Sequence, residues 1–111
     1  MIEIRLLYFE GCPNVEPTYN ILKECLDQEK VDAKIVRIQV RDEIEAKHLH
    51  FLGSPSIQIN GEDIELSCRN AQPFFGCRIY DRNSPNQGVP PKQLIIDAIR
   101  RSRSMSKIND L

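Results

Sequence analysis

Four cysteines, at positions 12, 25, 68 and 77, are the residues of this chain best equipped for chemistry. A thiolate is the nucleophile of disulfide exchange and a ligand for soft cations. Cys12 has the most telling surroundings. In LLYFEGCPNVEPTYNILKECL an apolar run, Leu6-Leu7-Tyr8-Phe9, gives way to Gly11-Cys12-Pro13 and then to a helix-like pattern. Pro13 suits the first position of a helix, where its missing N–H costs nothing. Cys12 is therefore expected at or beside the N-cap. The unpaired N–H groups and positive dipole end there favour thiolate over thiol. Glu10 and Glu16 oppose this, because nearby negative charge disfavours a second anion. A paired redox site would place another cysteine at position 15, which holds Val15. Exchange between 12 and 15 is thus excluded, and any resolving thiol comes from elsewhere. The plainer reading is a buried cysteine acting as a small hydrophobe. The strand–Gly–Cys–Pro–helix junction argues for an exposed edge instead.

The other cysteines depend on the elements that carry them. Residues 2–9 alternate at first, Ile2, Ile4 and Leu6 against Glu3 and Arg5, and then turn continuously apolar, as a central strand would. Residues 13–29 read as a helix, with Val15, Tyr19, Leu22 and Leu26 on one stripe. The run AKIVRIQV, 33–40, reads as a second strand. A short helix follows over 42–52, with Asp42 as N-cap, Glu45 at the capping-box position, Lys47, His48 and His50 in its last turns, and Gly53 as its stop. Asn60-Gly61 is a hairpin signal that sets Ile59 against Glu62, Ile57 against Ile64 and Pro55 against Leu66. A last helix begins at Pro90-Pro91. The order β-α-β-α-β-β-α predicts an α/β three-layer sandwich on a mixed four-stranded sheet, its first two strands parallel. One domain is expected over 1–100, followed by a flexible basic and polar tail over 101–111.

On this scaffold Cys25 lies thirteen residues beyond Cys12. That is about 20 Å along a helix, far beyond the ~7 Å Cα separation a disulfide tolerates. It is expected to pack beside Leu22 and Leu26. Cys68 emerges beside Ser54-Pro55 in the hairpin register. Cys77 has two placements. With 62–66 as the fourth strand, 69–89 is an insertion near the same end. With Cys77 opening that strand, it is remote. The Asn-Gly register favours the first. Arg78 is a candidate to hold a thiolate or an anionic substrate, against the simpler reading of a surface charge.

These features resemble the thioredoxin superfamily. The element order is similar, Cys12-Pro13-Asn14-Val15 occupies the place of the CxxC motif, and Ser54-Pro55 stands just before the third strand. The resemblance covers roughly residues 1–100 and departs from thioredoxin at Val15. It implies that Pro55 is cis and lies against Cys12. It also implies that Cys68 leaves the sheet at the Cys12 end, that Pro13 and Pro55 shape a docking groove, and that Ser54 offers backbone hydrogen bonds to an extended substrate. More narrowly, YFEGCPN, FLGSPSIQINGEDIE, CRIY and GVPPKQLI are similar to small thioredoxin-like proteins associated with mercury resistance, some of them joined to an alkylmercury lyase. The function so implied is thiol–disulfide exchange, with Cys12 attacking, Cys68 or Cys77 resolving, and protein or low-molecular-weight thiols as partners. The alternatives are a thiolate binder of Hg²⁺ or another soft metal through Cys12, Cys68 and Cys77, and an adaptor that kept the scaffold without the activity. No cofactor is expected.

Composition narrows the rest. A net charge of −1 over 111 residues, no Trp and 6% aromatics argue against nucleic-acid binding. No segment approaches the ~20 apolar residues of a membrane span, and MIEIRLLYF has no leader pattern, so a cytoplasmic location with reduced thiols is expected. Neither cysteine nor histidine spacing fits a structural zinc site. His48 and His50 serve as helix-end cations, Glu62, Asp63 and Glu65 as a solvated face, and Arg100, Arg101, Arg103 and Lys107 as a solubilising tail.

Overall fold

The computed structural model of the chain describes residues 2–68 and 70–109, with side chains through Arg103. Four strands form one mixed sheet in the order β2-β1-β4-β5, where β1 is Ile2–Tyr8, β2 Ala33–Gln39, β4 Ser56–Ile59 and β5 Glu62–Asp63. β1 runs parallel to β2, from Ile2 opposite Ala33 to Tyr8 opposite Gln39, and antiparallel to β4. A second ladder pairs β3, Leu52–Ser54, in parallel with β6, Phe74–Cys77. Three helices complete the fold: α1 Val15–Gln28, α2 Glu43–Leu49 and α3 Lys92–Asn109. The protein is thus an α/β fold with a four-stranded mixed sheet.

The period-2 alternation of β1 divides the core. Ile4 and Leu6 face Leu22, Cys25 and Leu26 of α1 and Ile95, Ile96 and Ile99 of α3, while Leu7 faces Val40, Ala46 and Phe51 beside α2. Sheet faces with α1 and α3 on one side and α2 on the other account for the unbroken apolar stretch of β1, because both faces are covered. Two arginines fasten α3 to the end of α1. Arg100 Nε donates to Glu29 Oε1 at 2.8 Å and Arg103 Nη1 to the Glu29 carbonyl at 2.8 Å. Arg103 belongs to the stretch expected as a tail. The helix passes residue 100, and Arg101 donates to the Ile64 carbonyl at 3.3 Å. The remainder of the expected tail, the Lys107 side chain and residues 110–111, lies outside the described residues.

Local signals set several boundaries. Asp42 caps α2, its Oδ1 accepting the Glu45 N–H at 2.8 Å while Glu45 accepts the Arg41 N–H at 2.9 Å. Asn60 and Gly61 take φ of +51° and +87°, the twin left-handed pair of a tight hairpin, and place Ile59 opposite Glu62. The start of α1 differs from the sequence reading. Helix begins at Val15, with Asn14 as N-cap, rather than at Pro13. The reason is Pro17. It has no N–H to give the carbonyl four residues back, and its ring would clash there, so Pro13 cannot be helical. With Val15 first, Pro17 falls in the first turn, where no N–H is required, and the first helical bond runs from the Thr18 N–H to the Asn14 carbonyl at 3.2 Å. α2 likewise stops at Leu49, capped by His50 in the left-handed region, three residues before Gly53.

Candidate functional site

The turn that carries Cys12 grows directly from the end of β1. The Cys12 N–H donates to the Phe9 carbonyl at 3.3 Å, and Gly11, at φ +84°, supplies the positive angle that closes the turn. Cys12 is half-buried, touching the edge of the α1–α3 core, and Pro13 beside it is exposed. Because α1 starts late, Cys12 stands two residues before the N-cap instead of at it. The carboxylate of Glu16, expected to weigh on the sulfur, is taken up by Arg37 of β2. Asn14 spends its side chain elsewhere. It makes no cap hydrogen bond and lies so close to Gly88 that a Cβ there would fall 2.2 Å from its Nδ2. The segment around Gly88 therefore closes over this end of α1.

Ser54 is the joint of the region. Its hydroxyl accepts the Phe9 N–H at 3.3 Å, and its carbonyl accepts the Arg78 N–H at 3.0 Å. One residue thus ties the root of the Cys12 turn to the strand that ends at Cys77, its ladder partner. The following bond, Ser54–Pro55, is cis, and the Tyr80 hydroxyl donates to the Pro55 carbonyl.

Arg78 departs from both sequence readings. It is neither a surface charge nor a cation open to substrate. Its side chain is 5% exposed, and its two terminal nitrogens are engaged by Asp63 at 2.7 and 2.8 Å, by Glu65 at 2.8 Å and by the Ser56 hydroxyl at 3.1 Å. Burial works to lower its pKa. The bonds from Asp63, the Tyr80 ring 4.3 Å away and the Glu65 carboxylate outweigh that, so the guanidinium is held above its ordinary range. Burial also pushes the Tyr80 phenol above its ordinary value, against the opposing charge of Arg78. The acidic cluster is corrected with it. Asp63 is 1% exposed, not part of a solvated face. The hairpin register puts Asp63 opposite Gln58, which turns this carboxylate inward.

The four thiols separate into three settings. Cys25 is fully buried beside Leu22 and Leu26, where burial pushes its thiol up. Cys68, half-buried in a 3-10 turn over Leu66–Cys68, and the exposed Cys77 line one cavity of about 350 Å³ with Leu52, Phe74, Ile79 and Arg82. Cys12 does not line it. Within residues 70–89 the strand is Phe74–Cys77, paired with β3 at the Ser54 end, and not the run CRIYD. Among the described residues no group of three or more His, Cys, Asp and Glu side chains is placed to hold a metal ion. No described helix is long and apolar enough to cross a membrane.

A cavity of about 460 Å³ also opens at the strand ends, lined by Phe9, Glu10, Val40, Arg41 and Phe75. The Phe75 ring sits 5.9 Å from Phe9 and 6.4 Å from Phe51, so the insertion is clamped to the sheet by aromatic contacts that its polar composition concealed. Compared with known proteins, the chain matches no family model, no curated protein and no solved structure.

Proposed function

We propose that this chain is a thioredoxin-like thiol protein, working in a reducing cytoplasm, in which Cys12 is the attacking nucleophile of a single-cysteine exchange site. The observation that carries the reading is the double use of Ser54. Through it Phe9, the root of the tight turn that carries the half-buried Cys12, is tied to Ser54 just before Pro55. The fold reading draws support from the strand–helix–strand–helix start and from the antiparallel hairpin that follows Pro55. In the proposed reaction the Cys12 thiolate attacks one sulfur of a disulfide. A mixed disulfide forms, the old S–S bond breaks, and the second sulfur leaves as a thiolate that takes up a proton. Resolution falls to an incoming low-molecular-weight thiol, because Cys68 and Cys77 face a cavity that Cys12 does not line. Pro13, which is exposed, borders the approach, while Pro55, expected to shape it, is fully buried.

The test is exposure of the reduced protein to oxidised glutathione, followed by mapping of each cysteine by peptide mass. The expected result is a glutathionyl group on Cys12 that reduced glutathione removes, with Cys25 unmodified until the protein is unfolded. A Cys12 that stays free under conditions that modify Cys77 would overturn the reading.

A further inference from the structure

We infer that Cys68 and Cys77 form a second exchange site, a dithiol that acts independently of Cys12 on low-molecular-weight disulfides. Both side chains line the same cavity of about 350 Å³, which is large enough to admit such a molecule. One sulfur is exposed and the other half-buried, the arrangement of an entering and a resolving thiol. Both ride on short supports. Cys77 ends the four-residue strand β6, which pairs with β3 through a register shift between Leu52 and Ser54. Cys68 ends a single 3-10 turn, held by its N–H to the Glu65 carbonyl at 2.9 Å. Behind both, the Arg78–Asp63–Glu65 cluster fixes the floor of the cavity, since Glu65 and Arg78 line it too. Arg82 at the rim offers a cation to the carboxylates of an acidic disulfide.

The chemistry closes in two steps. Cys77 attacks one sulfur of the disulfide, forming a mixed disulfide and expelling one thiolate. Cys68 then attacks the Cys77 sulfur, forming the Cys68–Cys77 bond and expelling the second thiolate. Two protein thiols are oxidised, one small disulfide is reduced to two thiols, and the two protons pass to the leaving sulfurs.

The glutathione experiment is repeated on the wild-type protein and on Cys12→Ser, Cys68→Ser and Cys77→Ser. The expected product is a peptide pair linked between Cys68 and Cys77, formed equally in wild type and Cys12→Ser. Cys68→Ser should instead trap glutathione on Cys77. The inference is overturned if wild type carries separate glutathionyl groups on Cys68 and Cys77 with no linked pair, or if the link joins Cys12 to either. Loss of the Cys12 modification alone would remove the reading of Cys12 and leave this one standing.

Discussion

Ser54 joins two regions that the chain treats in opposite ways. On its carbonyl side lies Arg78, 5% exposed, its terminal nitrogens filled by two carboxylates and a hydroxyl. On its hydroxyl side lies the turn of Cys12, closed by one bond to Phe9 and open to solvent at Gly11 and Pro13. A buried charge left without partners is far costlier than a half-exposed thiol, so the first region demands full satisfaction and the second does not. In the proposed reading the difference separates what holds the site from what reacts in it: the charged residue beside an exposed cysteine is structural, and the less constrained turn keeps the Cys12 sulfur accessible.

Removing one partner of the ion cluster should therefore have the largest effect on stability. Arg78→Leu leaves Asp63 and Glu65 facing each other without a counter-ion, one of them fully enclosed. A loss of about 3–5 kcal/mol is expected, read as a lower urea midpoint at an unchanged slope. A variant as stable as the wild type would show that the cluster contributes no net stability and would break the contrast.

Gly53→Ala probes the same cluster from the backbone. Gly53 has φ of +103°, and a Cβ there would meet the Arg78 Cβ at 3.0 Å. Strain of this kind costs about 1–3 kcal/mol, and the same urea titration measures it. The variant should also weaken the packing of β6 on β3, so amide exchange along Phe74–Cys77 should quicken. Exchange that stays slow there would separate the glycine from the insertion.

The cluster shows why part of the molecule was not legible in sequence. The hairpin, the Asp42 cap and the amphipathic stripe of α1 are decided by neighbours a few residues away, so the sequence alone exposes them. Arg78 and Asp63 are fifteen residues apart and meet only because β6 pairs with a three-residue strand before Pro55. Nothing in the spacing of Glu62, Asp63 and Glu65 tells a solvated acidic face from a buried counter-ion, because the hairpin register alone decides which of them turns inward. The start of α1 was legible in principle. Pro17 carries the information, and Pro13, which fits a first helical position on its own, hides it. For the candidate site, Cys12 is picked out by its place at an element end, and Ser54 and Pro55 by the resemblance to the thioredoxin superfamily. The grouping of Cys68 with Cys77, away from Cys12, depends on the path of the insertion, whose Phe74 and Phe75 are read from contacts rather than from periodicity.

A smaller effect tests the joint itself. Ser54→Ala removes the acceptor of the Phe9 N–H while keeping the carbonyl that receives the Arg78 N–H. About 1 kcal/mol of stability should be lost. The informative readout is the ratio of labelling rates by iodoacetamide at Cys12 and Cys77 in one sample. If the hydroxyl positions the Cys12 turn, that ratio changes, because only the Cys12 side has lost its anchor. A fall in stability with an unchanged ratio would mean that Ser54 supports the fold and leaves the thiol unaffected.

Cys12→Ser should move stability least, by about 0.5 kcal/mol or less in either direction, as substitutions outside a core and its polar networks do. The side chain is half-buried at the rim of the α1–α3 cluster, serine is close to it in size, and the turn is closed by the backbone bond to Phe9, which the substitution keeps. If, as proposed, the sulfur contributes reactivity rather than packing, mixed-disulfide formation at this position should vanish while the urea midpoint stays in place. A substantial drop in the midpoint would reverse the assignment. It would mean that Cys12, like Cys25, is present as a small apolar group filling space beside α1, and the contrast with Arg78 would become one between two structural residues.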